Sequence, residues 1–262
     1  MKTIFITGAS AGLGKATAKF FAAKGWNVIA TMRKPANETE LNKIDNITLL
    51  PLDVTNLEQI KETAEKAIEL GNIDIVFNNA GYGLMGPLEG TTDEQVVRQL
   101  ETNLLGTIRV TQAFIPYFRI KQSGLFINTT SMGGLLTFPF ASVYHATKWA
   151  LEGWSESVAF ELGKFGVGMK TVSPGGIKTD FLNRSSDMTS HPAYDAYMEK
   201  MFSSFNEENF SDVSQIVEVV YEAATDGKDK LRYQAGKDAI ELYAQRLEMG
   251  DEAFRKQMAQ MI

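Results

Sequence analysis

The chain has 262 residues, 44% of them hydrophobic and 22% charged, with a net charge of −6. This is the composition of a folded globular protein; it excludes disordered, collagen-like and disulfide-framework classes, and the acidic balance argues against nucleic acid or an anionic membrane as the main partner. The lack of cysteine removes disulfides, thiolate metal sites and cysteine nucleophiles together, and the two histidines, His145 and His191, make a histidine-built metal site improbable, so no metal is expected.

Short β-rich runs alternate with longer helical patterns. Thr3–Thr7 reads as a strand and Leu13–Lys24 as a helix. Strands are predicted at Asn27–Met32 and Ile47–Leu52, and an amphipathic helix at Leu57–Leu70. Ile73–Asn78 is a fourth strand, followed by helices near Asp93–Leu105 and Thr107–Lys121. Leu125–Thr129 is a fifth strand, Ser142–Phe165 a long helix and Met169–Ser173 a sixth strand. Beyond Pro174 the period breaks; residues 177–211 are rich in aromatics and methionines without a clean repeat. A helix over Asp212–Thr225, a strand at Leu231–Gln234 and a helix over Ala239–Glu248 complete the chain. Strand–helix alternation with consecutive apolar strand positions predicts an α/β fold, a doubly wound parallel sheet of Rossmann type with helices on both faces. No linker or repeat interrupts the chain, so one domain over 1–262 is expected, with a cofactor half to about residue 130 and a catalytic and substrate half from 131. No run approaches the roughly 18 apolar residues of a membrane span, and the short N-terminal apolar run passes straight into a glycine turn, unlike a secretory leader. A cytoplasmic location follows as the expectation.

The first strand ends in TGASAGLG, which places Gly8, Gly12 and Gly14 between a strand and a helix. Glycines let a backbone approach a pyrophosphate, and a helix N-terminus offers free N–H groups and a positive dipole end. The spacing departs from the common G-x-G-x-x-G dinucleotide pattern, and a ligand-free tight turn would read the same way. The second strand ends at Arg33 and Lys34, with no carboxylate to accept from a ribose 2′-hydroxyl. Arg33 can instead pair with a 2′-phosphate and Lys34 adds charge beside it, favouring NADP(H) over NAD(H); solvated loop cations are the plain alternative. Asp53-Val54 follows the third strand, where Asp53 either accepts from an adenine amino group or caps the next helix, a role open also to Thr55 and Asn56. Asn78-Asn79-Ala80-Gly81 follows the fourth strand with small residues suited to a ribose, or with an ordinary loop.

Tyr144 and Lys148 are four apart on the long helix, hence on one face. An adjacent ammonium is expected to lower the phenol pKa toward the working range of a general acid or base. Ser131, in NTTSMGG at the end of the fifth strand, can bond a substrate carbonyl, with Thr129 and Thr130 as competing hydroxyls. Asn103 lies in ETNLLG, where Asn suits a helix end ahead of Gly106. His145 shares no face with Tyr144 and reads as structural.

Taken together, these residues resemble the short-chain dehydrogenases/reductases of the Tyr-x-x-x-Lys branch. The resemblance runs from Thr3 to about Phe181, with TGASAGLG, NNAG, Asn103, Ser131, YHATK and PGGIKT in the family's order. Ser131 stands thirteen positions before Tyr144, the family's usual spacing, which selects it over Thr130. The resemblance implies a Rossmann-type fold and hydride transfer between a nicotinamide and a carbonyl/alcohol substrate. It implies Tyr144 as proton donor or base and Lys148 as the group that lowers its pKa and holds the nicotinamide ribose. Ser131 would orient the substrate oxygen, and Asn103 would support a water linking Lys148 to solvent. Cofactor contacts would come from Gly8, Ser10, Gly12, Leu13, Gly14, Arg33, Lys34, Asp53, Val54, Asn79, Ala80, Gly81, Pro174, Gly175, Ile177 and Thr179, besides Tyr144 and Lys148. Arg33 occupies the family's NADP-marking position; the second basic mark, before the second glycine, is replaced by Ala11. A homodimer or homotetramer pairing through the helices around 93–121 and 142–165 is implied.

Residues 181–211, with Met188, Tyr194, Tyr197, Met198, Met201, Phe202, Phe205 and Phe210, are expected to cover an apolar substrate; packing of a lid or a subunit contact is the alternative. Two other functions share the pattern: a nucleotide-sugar epimerase or dehydratase, and an NADP(H)-binding regulator without turnover.

Overall fold

The computed structural model describes residues 1–178, 186–204 and 207–262. In chain order the elements are β1 (Thr3–Ile6), α1 (Gly12–Ala23), β2 (Asn27–Met32), β3 (Ile47–Pro51), α2 (Leu57–Leu70) and β4 (Ile75–Asn78). There follow β5 (Gly83–Met85), α3 (Asp93–Leu100), α4 (Gly106–Lys121), β6 (Gly124–Thr129), α5 (Ser142–Leu162) and β7 (Val167–Pro174). The C-terminal part holds β8 (Ile177–Lys178), β9 (Ser186–Met188), α6 (Asp195–Ser204), β10 (Ser211–Asp212), α7 (Val213–Thr225), β11 (Arg232–Ala235), α8 (Lys237–Met249) and α9 (Asp251–Met258).

Seven strands form one sheet in the order β3-β2-β1-β4-β6-β7-β11, with every neighbouring pair parallel. This is the Rossmann-type doubly wound sheet. Its chain order reverses between β1 and β4, so a crevice opens at their C-terminal ends, where ligands bind in such folds. Both faces are covered. Ile4, Phe5 and Ile6 on β1 are all essentially inaccessible, because alternate side chains enter separate apolar layers. Ile4 and Ile6 join Phe21, Val28 and Val220 beneath α1 and α7. Phe5 joins Phe114, Phe118 and Phe126 on the other side, under α4.

Three departures from the sequence pattern bear on the site. First, Asn103 does not end a helix. The helical run continues from α3 into α4 through a π turn at Glu101–Leu105, a widened turn often found at functional sites. Second, the stretch without a clean period contains α6 and two short pairings, β5 with β9 and β8 with β10. Third, the chain after Glu248 carries a further helix, α9, packed through the buried Phe254. Among the described residues no helix is long and apolar enough to cross a membrane.

Candidate active site

The glycine turn leaves β1 and enters α1 under tight constraint. Gly8 has a φ of +68°, and a Cβ there would lie 2.8 Å from the Ala80 Cα. Gly14 is walled in by the Gly8 carbonyl, and a Cβ on it would sit 2.5 Å from the Asn79 Nδ2. The turn can therefore exist only without side chains at these points. Asn79 stitches it from the other side: its backbone N–H donates to the Thr7 hydroxyl at 2.9 Å, and its Nδ2 donates to the Thr7 and Gly8 carbonyls. Ala80 N–H also donates to Thr7 Oγ1. No side chain caps α1, so its first-turn N–H groups are free for an anion. Ser10 and Gly12 are exposed there, whereas Leu13 is buried beneath the turn. These are the features a dinucleotide pyrophosphate requires, and the residues fit that group.

Arg33 and Lys34 are exposed at the end of β2 and have no side-chain partner among the described residues. Their neighbours differ: Lys15 and Lys19 both bind Glu40 at 2.5 Å, and Lys15 also pairs with Glu38 at 3.1 Å. Asp53 does not cap α2. Its Oδ1 accepts from the backbone and hydroxyl of Thr55, and Asn56 is the cap, accepting from Gln59 N–H. Val54 is buried against the α-carbon of Gly106 at the start of α4.

Ser131, Tyr144 and Lys148 come together at the C-terminal edge. All three are buried, at 9%, 8% and 6% exposure. Ser131 Oγ accepts from Gly133 N–H at 3.0 Å, which leaves its own proton free beside Tyr144. Lys148 Nζ lies 5.8 Å from the centre of the Tyr144 ring and donates to the Thr129 carbonyl at 2.9 Å. Lys148 also reaches toward Gly81: a Cβ on that glycine would lie 3.8 Å from Nζ.

The electrostatics correct one expectation. Burial pushes the Tyr144 phenol above its usual value, and the Ser131 hydroxyl only partly offsets this. Lys148 is not among the groups that lower it, and burial pushes the lysine itself down to about 8, against a smaller lift from Glu152.

Asn103, on the π turn, is 1% exposed. Its Oδ1 accepts from Tyr82 N–H at 3.0 Å and its Nδ2 donates to the Tyr82 carbonyl at 2.9 Å. It therefore fixes the loop after NNAG directly. His145 is structural in a specific sense: Nε2 accepts from Phe138 N–H, so Nδ1 must carry the proton donated to the Gly133 carbonyl at 2.7 Å. Burial lowers its pKa, favouring this neutral tautomer. The PGG stretch closes β7. Pro174 is buried, Gly175 and Ile177 are half-buried, and Thr179 and Phe181 lie outside the described residues, as does Phe205.

Sequence reasoning missed two participants. Glu152, one helical turn beyond Lys148, is buried and accepts from Thr171, Ser173 and Arg232. Its i+4 spacing from Lys148 was the available signal. Asp238, on α8, accepts from Gly176 N–H at 2.6 Å; no local pattern announces it.

A model of the family described as short chain dehydrogenase matches residues 2–190. The chain belongs to that family. It is an oxidoreductase of the class acting on CH–OH and C=O groups. An uncharacterised oxidoreductase of Schizosaccharomyces pombe is 38% identical over 234 residues, covering 87% of this chain and 99% of the relative. Human 17-beta-hydroxysteroid dehydrogenase type 1 is 32% identical over 269 residues, covering 94% and 80%. Among solved structures, a short chain dehydrogenase from Burkholderia cenocepacia in complex with NADP superposes with a TM-score of 0.81 at 25% identity, covering 98% of this chain and 99% of that one.

Proposed function

We propose that this oxidoreductase is a single-domain, NADP(H)-dependent enzyme for an apolar carbonyl/alcohol pair, with Tyr144 as its general acid and base. The observation that carries this reading is the burial together of Ser131, Tyr144 and Lys148, with Lys148 Nζ 5.8 Å from the Tyr144 ring, beside a glycine turn that fits a pyrophosphate. Gly8, Ser10, Gly12, Leu13 and Gly14 would hold the pyrophosphate, and Asp53, Val54, Asn79, Ala80 and Gly81 the adenosine side. Pro174, Gly175, Ile177 and Thr179 would meet the nicotinamide end. The bound dinucleotide supplies or takes up the hydride.

In reduction, the Ser131 hydroxyl donates to the substrate oxygen and fixes it beside the Tyr144 phenol. The Tyr144 Oη then gives up its proton as charge develops on that oxygen. The phenolate left behind needs a cation, and Lys148 is the one within reach. Its low pKa in the free chain means that anionic groups arriving nearby would recharge it, which would in turn lower Tyr144. Preference for NADP(H) is supported by Arg33 and Lys34, the cations at the end of β2 that no carboxylate neutralises, while Glu38 and Glu40 already occupy Lys15 and Lys19. A homodimer or homotetramer through the α4 and α5 faces is supported by the exposed Trp149 and Phe160 on α5.

Two substitutions test the reading. Tyr144→Phe should abolish NADPH-dependent carbonyl reduction while leaving NADPH binding within a few-fold; retained turnover would remove Tyr144 as the acid. Arg33→Asp should weaken NADPH by at least about tenfold and spare NADH; equal losses would defeat the 2′-phosphate assignment.

A further inference from the structure

Two described residues other than glycine adopt a positive φ. Gln122 does so at the C-terminal cap of α4, where the left-handed conformation is ordinary. Phe140 has no such excuse. It stands at a φ of +58°, in the loop between Ser131 and Tyr144, two residues before α5 begins. A bulky residue in this region is strained, and such strain persists where the surroundings impose it, often at ligand-binding positions.

The backbone at this position has a clear task. The Phe140 carbonyl accepts from Gly86 N–H at 2.7 Å, and Met85 beside it accepts from Thr189 N–H at 2.8 Å. Three segments therefore converge next to the first turn of α5: the stretch after NNAG, the loop preceding Tyr144, and the stretch that includes β9. Glycine would perform this backbone task without strain. The phenyl ring adds nothing to that task, and among the described residues it is not part of the buried apolar core. Phe140 is only half-buried, and the ring contact it makes is edge-on with Tyr194, at 6.2 Å between centroids and 83° between planes. Tyr194 in turn stands against His191.

We propose that Phe140, with Tyr194, is a specificity-determining wall of the substrate site, selecting a carbonyl or alcohol whose reacting carbon is part of a bulky apolar, ring-sized skeleton. This rests on the carbonyl reading above. A face-and-edge pair of aromatic rings offers flat apolar area, which suits an alicyclic or aromatic skeleton better than a small polar one; the charge beside the pair is Glu89, which interacts with Tyr194 and lies 3.7 Å from His191.

The test compares kcat/KM for NADPH-dependent reduction of 2-decalone and of 2-butanone in the wild type, Phe140→Gly and Phe140→Leu, with the thermal midpoint of each. Phe140→Gly should unfold at the wild-type temperature or higher, because the strain is gone. Its preference for 2-decalone over 2-butanone should fall about tenfold, the scale of one lost aromatic contact. Phe140→Leu, still strained but apolar, should keep more of the preference and unfold below Phe140→Gly. An unchanged preference, or a glycine variant that unfolds well below the wild type, would overturn the proposal, since the ring would then be structural. If the wild type reduces neither ketone, the carbonyl reading fails on its own. Calorimetric binding of 2-decalone in saturating NADPH then decides on Phe140: binding weakened in Phe140→Gly upholds it, and no binding to the wild type overturns it.

Discussion

Glu152 offers a quantitative test of how the catalytic helix is held. Its carboxylate is almost wholly buried. Oε1 accepts from Ser173 at 3.0 Å, and Oε2 from Thr171 at 3.2 Å and from Arg232 Nε at 3.0 Å. These bonds join α5 to β7 and β11 directly below Lys148. Removing one partner of a buried ion pair typically costs about 3–5 kcal/mol. Here the lower end applies, because Arg232 keeps its second partner, Glu156, and Ser173 keeps the Thr130 hydroxyl at 2.9 Å. Glu152→Ala should thus lose about 3 kcal/mol by urea unfolding, and Glu152→Gln, which retains one acceptor, about 1.5 kcal/mol. Glu156→Gln, removing a half-exposed partner, should cost under about 1 kcal/mol. The second readout is kinetic. Glu152 lifts the Lys148 pKa against the burial that lowers it to about 8, so Glu152→Gln should move it lower still. The limb of the kcat/KM profile that reports Lys148 in the free enzyme then shifts to lower pH. A Glu152→Ala loss no larger than that of Glu156→Gln, or a pH limb that stays in place, would refute this account.

Two other predictions concern the glycine turn and the sheet's far side. Gly14→Ala places a methyl group against the Gly8 carbonyl and 2.5 Å from Asn79 Nδ2; the backbone cannot yield without opening the turn, so NADPH affinity measured by fluorescence titration should fall more than about tenfold, a loss exceeding about 1.4 kcal/mol. Lys170→Met breaks the buried pair with Asp226, 2.6 Å apart, and should cost about 3 kcal/mol at neutral pH. Burial raises the Asp226 pKa, but hydrogen bonds from Lys170, Tyr233 and the Lys228 backbone outweigh it and leave the pKa well below normal. The contribution is therefore complete above the ordinary carboxylate pKa of about 4 and fades as pH falls through it. The stability gap between wild type and Lys170→Met should narrow on acidification, as followed by urea midpoints at successive pH values.

The sheet was legible because its signals are local. A strand buried on both faces must be apolar at consecutive positions, as Ile4–Ile6 and Ile75–Phe77 are, and each such run is followed by helix or by Asn and Gly. Tyr144 and Lys148 were legible for the same reason, since i and i+4 share a face in any helix. What was not legible depends on distant partners. The short β5–β9 and β8–β10 pairings are two or three residues long, too short for a period to show. The π turn carries Asn103, whose two bonds go to Tyr82, 21 residues away. The direction of the Tyr144 shift turned on burial, which the sequence does not display.

The C-terminal fifth of the chain shows why motif reading stops short of the whole site. No chemical pattern marks residues 207–262, yet they fix the stretch that closes β7. Gly175 N–H donates to the Ala235 carbonyl at 2.9 Å, and the Gly176 carbonyl accepts from Ser211 N–H at 2.9 Å. Gly176 N–H donates to Asp238, whose other oxygen is buried without a partner among the described residues. An unpartnered buried carboxylate oxygen is costly, and α8 offsets part of that cost, because Asp238 stands in its first turn, where the dipole favours negative charge. Three contacts from three elements thus hold two consecutive glycines whose own conformational freedom would otherwise leave the stretch loose. The backbone just before Ile177 is held by a side chain some sixty residues further along, so under the proposed cofactor placement this region would shape the nicotinamide end even though none of its residues carries the family's signature.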